Sequence, residues 1–111
     1  MTMLEWSATE LSAAIHARTV APSEVMAAWL AQVAAVNPSV NAIVSLRDPD
    51  ALLAEARALD NVPPSGWLHG IPFAVKDLVA TKGVRTTWGS PLFADHVPLQ
   101  DDLVAARLRA A

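Results

Sequence analysis

Val25, Met26, Trp29, Leu30, Val33 and Val36 recur at intervals of one, three, one, three and three residues, a spacing that lines up one apolar stripe on a helix. The pattern predicts a helix over about residues 22–36. Pro22 stands in its first turn, where a missing N–H forfeits no bond, and Glu24 lies in the favourable N-terminal field. Pro38 disfavours helical backbone at Asn37 and sets the expected end. A shorter helix is expected over about 8–17, because Ser7 and Glu10 form a capping box with Trp6 and Leu11 at the staple positions, and Leu11, Ala14 and Ile15 form a short stripe at helical spacing. Leu52, Leu53, Ala56 and Leu59 give a third stripe over about 49–59, started by Asp48 and Pro49. Leu103, Val104, Ala105 and Leu108 give a fourth over about 102–111, with Asp101 or Asp102 as its cap and no Gly, Asn or Pro to stop it.

Between the third and fourth stripes the pattern changes. Gly66-Trp67-Leu68-His69-Gly70 reads as a turn, and Pro72-Phe73-Ala74-Val75-Lys76 as a short apolar strand, about 72–76, ending in the adjacent charges of Lys76 and Asp77. Asn41–Leu46 has the content of a short strand or extended connection. Thr81-Lys82-Gly83 reads as a second turn, and the run from Val84 to Pro91 is rich in hydroxyls and small residues.

Composition sharpens this picture at several points. A chain of 111 residues implies one domain at most, and 53% apolar residues are more than so short a chain hides easily. Self-association through exposed apolar surface would relieve that exposure. The net charge of -3 is divided as seven acids against three bases in residues 1–60 and four against five in 61–111. This leaves no basic patch, and the four Trp are not interleaved with Arg or Lys, so no nucleic-acid partner is expected. The absence of Cys suits a cytoplasmic protein. No export signal is visible, and no apolar run reaches the roughly 20 residues of a membrane span.

Lys76 is the principal candidate for chemistry. At the end of an apolar strand, partial burial would favour its neutral form and make it a base or an amine nucleophile. The alternatives are that it reaches into solvent or pairs with Asp77. Adjacent strand residues point to opposite faces, which favours a loop-pinning role for Asp77. Thr86, Thr87 and Ser90 either donate to a ligand or satisfy the backbone of their own loop. His16, His69 and His96 show no metal-ligand spacing, and neither a metal nor a cofactor is expected. The Trp residues read as packing anchors, with Trp67 and Trp88 flanking the Lys76 region.

The stretch Gly70-Ile71-Pro72-Phe73-Ala74-Val75-Lys76-Asp77, followed by Thr81-Lys82-Gly83-Val84-Arg85-Thr86-Thr87-Trp88-Gly89-Ser90, resembles the N-terminal part of the amidase signature family. The resemblance runs through essentially the whole chain but corresponds to about the first quarter of an ordinary member. It implies an α/β class, the N-terminal fragment of a large α/β/α fold, mostly helical here with one or two short strands, residues 1–111 being the N-terminal part of one amidase domain. It also implies hydrolysis of a small-molecule carboxylic amide by a Ser, cis-Ser, Lys triad in which Lys76 is the base. Asp77, Thr87, Gly89 and Ser90 match the motif as supporting or pocket-lining residues. The segment bearing both serines is absent from these 111 residues, so the fragment alone is expected to be inactive. The alternative is a non-catalytic truncated product or oligomerising structural module.

Overall fold

Ser7 starts the first helix by accepting a hydrogen bond on its Oγ from the Glu10 N–H at 3.2 Å, while the Glu10 carboxylate accepts from the Ser7 N–H at 2.7 Å. The computed structural model describes residues 2–111. Helix α1 spans Ala8–His16 and ends as Arg18 turns into left-handed backbone at φ 60°. Helix α2 spans Pro22–Val40, with the Glu24 carboxylate accepting from the Ala21 N–H at 2.8 Å. Helix α3 spans Pro49–Leu59, where both carboxylate oxygens of Asp48 cap backbone N–H groups. Helix α4 spans Leu103–Ala110, and single 3-10 turns occupy Met3–Glu5 and Pro91–Phe93.

Three stretches differ from the sequence pattern. Helix α2 passes through Pro38 and stops at Asn41, which takes left-handed backbone and donates its N–H to Asn37 at 2.7 Å. The preference of a pre-proline residue for extended backbone is outweighed here by a final turn closed through a left-handed cap. The strand expected over 72–76 is not formed, and Asn41–Leu46 is likewise irregular. A strand is defined by a ladder to a neighbour, and the described residues contain only the single antiparallel bridge Thr81–Val84. The described residues are thus helical and irregular, and the α/β class is not what they form by themselves. Among them no helix is long and apolar enough to cross a membrane.

The chain divides into two compact units. The first comprises Met1–Ala42 and Asp48–Pro72, in which α2 packs on α3. Its buried residues Ile15, Val25, Leu52 and Ala56 come from the three predicted stripes. Ser23 in the first turn of α2 donates its N–H and its hydroxyl to the two carboxylate oxygens of Asp60 at 2.9 and 2.7 Å. The buried Ser12 hydroxyl donates to the Trp67 carbonyl and ties α1 to the Gly66–Gly70 turn. Gly70 closes that turn at φ 76°, so near Pro22 that a Cβ would lie 2.7 Å from the ring.

The second unit, Ile43–Arg47 with Phe73–Ala111, has a different interior. Its buried residues include Thr81, Thr86, Thr87 and Ala105, whereas Leu92, Leu99 and Leu103 are 90%, 86% and 71% exposed. The inside is built from hydroxyls that are each hydrogen-bonded, and the large apolar side chains lie outside. Asp101 and Asp102 join α4 to the turn at residues 80–83. Ala80 donates to the Asp102 carboxylate at 2.8 Å, and Lys82 to that of Asp101 at 2.7 Å. Asp101 also pairs with Arg109 at 3.0 Å. Asp102 occupies the N-cap position of α4, but its side chain is engaged by Ala80 and makes no cap bond.

Candidate active site

Phe73–Lys76 belongs to no helix or strand, and the chain turns at Lys76, whose carbonyl accepts from the Val79 N–H at 3.0 Å. Lys76 is exposed, and no partner for its ammonium is found among the described residues. The partial burial expected for a lysine at a strand end is not supplied by this chain. Without the strand there is no sheet neighbour to cover the side chain.

Asp77 has the opposite environment. Its Oδ1 accepts from the Thr87 N–H at 2.7 Å and its Oδ2 from the Thr87 hydroxyl. The hydroxyl of Thr87 lowers the Asp77 pKa most, followed by the Thr87 amide; burial opposes them less strongly, and the Gly89 amide and the Arg85 charge add smaller lowering effects. Hydrogen bonds to the ionised form favour it in this way. Asp77 therefore pins a loop, and it does not pair with Lys76.

Thr87 is buried, at 7% relative exposure, and its hydroxyl also accepts from the Gly89 N–H at 3.1 Å. Its carbonyl accepts from the Ser90 N–H at 3.0 Å. The turn so closed holds Trp88 and Gly89 in left-handed backbone at φ 51° and 70°. That region suits glycine but costs a residue with a side chain about 1–2 kcal/mol. Ser90 accepts on its Oγ from the Leu92 N–H at 3.3 Å and starts the 3-10 turn at Pro91. Thr86, Thr87 and Ser90 thus satisfy the backbone of their own loop.

Three rings adjoin the turn. Trp88 meets Phe93 edge to face at 5.1 Å and His96 at 5.1 Å with a 33° tilt, while Phe93 and His96 are 5.9 Å apart. The His96 carbonyl accepts from the Thr86 N–H at 3.0 Å, so the ring cluster is bonded to the loop through the backbone as well. Arg85 donates through Nε to the Ala94 carbonyl and through Nη1 to Ser45 Oγ at 2.9 Å. Phe93, His96 and Arg85 have no distinguishing pattern in the sequence, since the segment that carries them is largely irregular and no helix or strand period orders it.

The structure therefore brings Asp77, Thr87, Gly89 and Ser90 into one hydrogen-bonded turn and leaves the Lys76 side chain at its edge without a bond to it. A separate cavity of about 130 Å³ lies in the helical unit, lined by Ile15, Arg18, Glu24, Asp60 and His69 among others. It includes none of the residues of the turn, and Lys76 does not line it. Among the described residues, no group of three or more His, Asp or Glu is arranged to hold a metal ion.

Comparison with known proteins gives this turn its context. The sequence model of the family described as Amidase matches residues 24–111. The chain is 39% identical to an acylamidase of Rhodococcus erythropolis, an alignment that takes in 97% of this chain and 24% of that protein. It is 40% identical to the A subunit of glutamyl-tRNA(Gln) amidotransferase from Azoarcus sp. strain BH72, over 98% of this chain and 23% of that one. The corresponding protein of Geobacter sulfurreducens is 37% identical over 100% and 23%. The chain belongs to the amidase family. It spans about a quarter of the length of the curated relatives it matches.

Proposed function

We propose that this chain is the lysine-bearing, N-terminal part of an amidase domain that hydrolyses a small-molecule carboxylic amide to an acid and ammonia or an amine. The observation that carries this reading is the position of Lys76, one residue before the Asp77–Thr87 pair, inside the segment matched by the family. In the mechanism that the resemblance implies, neutral Lys76 accepts a proton through a bridging serine as the nucleophilic serine attacks the amide carbon. The C–N bond then breaks, the leaving amine takes up the proton, and water releases the acid from the acyl-serine. Both serines would lie outside these 111 residues, and so would the groups that desolvate Lys76 and keep it uncharged. Asp77, Thr87, Gly89 and Ser90 act as supporting residues in this scheme.

The same reading puts the protein in the cytoplasm, consistent with a sequence free of Cys. The reading is tested by release of ammonia from simple amides. The 111-residue chain alone is expected to show none. Grafted in place of the matching quarter of the Rhodococcus acylamidase, it is expected to give an active enzyme, and a folded but inactive graft would contradict the proposal.

A second reading is a non-catalytic module that self-associates. The exposure of Leu92, Leu99 and Leu103 on the second unit favours it. Sedimentation decides the matter, since a monomer at high concentration would exclude the module.

A further inference from the structure

Trp88 stands at φ 51° beside Gly89 at φ 70°. Gly89 adopts such backbone freely, whereas Trp88 has to be held there. On one side the turn is held by Thr87, whose hydroxyl uses both of its bonding capacities. It donates to Asp77 Oδ2 and accepts from the Gly89 N–H. On the other side the Trp88 ring packs on Phe93 and His96.

We propose that Asp77 and Thr87 form a positioning clasp that fixes the register of the Lys76 segment against the left-handed Trp88–Gly89 turn, with the Thr87 hydroxyl as its indispensable part. This inference rests on Lys76 being the base of the reaction. Neither clasp residue touches the proton that moves. Each acts through Lys76, whose backbone is one residue from the anchored carboxylate. Misplacing a reacting group by about an ångström costs on the order of 10²-fold in rate, so the clasp bears on kcat and leaves substrate affinity alone. Valine has the shape of threonine but can neither donate nor accept at Cγ. Serine keeps both capacities.

The test uses the graft described above, with kcat and KM measured separately for Thr87→Val, Thr87→Ser and Lys76→Ala. Thr87→Val is expected to lower kcat about 10²-fold with KM unchanged within about twofold, and Thr87→Ser to recover most of that loss. An unchanged kcat in Thr87→Val, beside an inactive Lys76→Ala, overturns the clasp and leaves the base reading standing. Substantial activity in Lys76→Ala overturns the base reading instead. A measurement on the 111-residue chain makes the clasp independent of the graft. NMR of Thr87→Val is expected to show faster Gly89 amide exchange and Trp88 out of left-handed backbone. Retention of both native features would overturn the proposal.

Discussion

Lys76 and Asp77 are neighbours in the chain and have opposite surroundings: the Asp77 carboxylate is bonded twice by Thr87, while the Lys76 ammonium is exposed without a partner among the described residues. An ion pair between adjacent residues would have neutralised both. Instead Thr87 satisfies the anion, and the cation remains available.

This separation makes a prediction about pH. The Asp77 pKa is lowered in the folded chain, chiefly by the Thr87 hydroxyl. A depressed carboxylate contributes stability above its unfolded pKa and loses it as pH falls through the folded value. The clasp should accordingly hold at neutral pH and open on acidification below the ordinary carboxylate range of about pH 4. Followed by carboxyl NMR, Asp77 should titrate below a free aspartate, and Thr87→Val should raise its midpoint. A midpoint that does not move would assign the shift to another cause.

Gly70 and Gly83 provide a matched pair. Both have positive φ, 76° and 75°, but a Cβ at Gly70 would lie 2.7 and 2.9 Å from the Pro22 ring, whereas a Cβ at Gly83 meets nothing within 4 Å. Gly83→Ala should cost only the left-handed penalty, about 1 kcal/mol. Gly70→Ala should add overpacking against a buried ring and cost about 2–4 kcal/mol. Denaturant melts of the two variants check this, and equal losses would show that the turn yields around Pro22.

Asp48 caps the N–H groups of Asp50 and Ala51 at 3.4 and 3.3 Å, and Pro49 follows it at the first helical position. Asp48→Ala should destabilise the helical unit by about 1 kcal/mol and shorten α3 from its N-terminus. Helicity by circular dichroism together with a denaturant midpoint measures both. An unchanged midpoint would mean that the packing of α2 on α3 holds the helix start unaided.

The helices are the legible part of the fold because their causes are local. The Ser7–Glu10 box and the Asp48 cap act within four residues, and the stripes carrying Ile15, Val25, Leu52 and Ala56 are periodic in the sequence. Phe73–Lys76 does not form the expected strand because its residues have strand character while a ladder needs a distant partner. Pro38 does not stop α2, because a final turn closes through the left-handed cap at Asn41, which the proline itself does not announce. At the site, Asp77 pins a loop as expected, but through Thr87 and not through the geometry of a strand, which does not form; nothing in the sequence links residues ten apart in an irregular segment. The aromatic contacts of Trp88 with Phe93 and His96 depend on the left-handed backbone at Trp88, for which Trp is an uncommon residue.

The most direct measurement of the central claim is the turnover of Lys76→Ala and Lys76→Arg in the active graft. Arginine preserves the charge but cannot give up its proton at neutral pH. If Lys76 is the base, both variants should lose about 10²–10⁴-fold in kcat while the fold is kept. Activity in Lys76→Arg within a few-fold of the parent would show that only the positive charge is needed, and would contradict the assignment of Lys76 as the base.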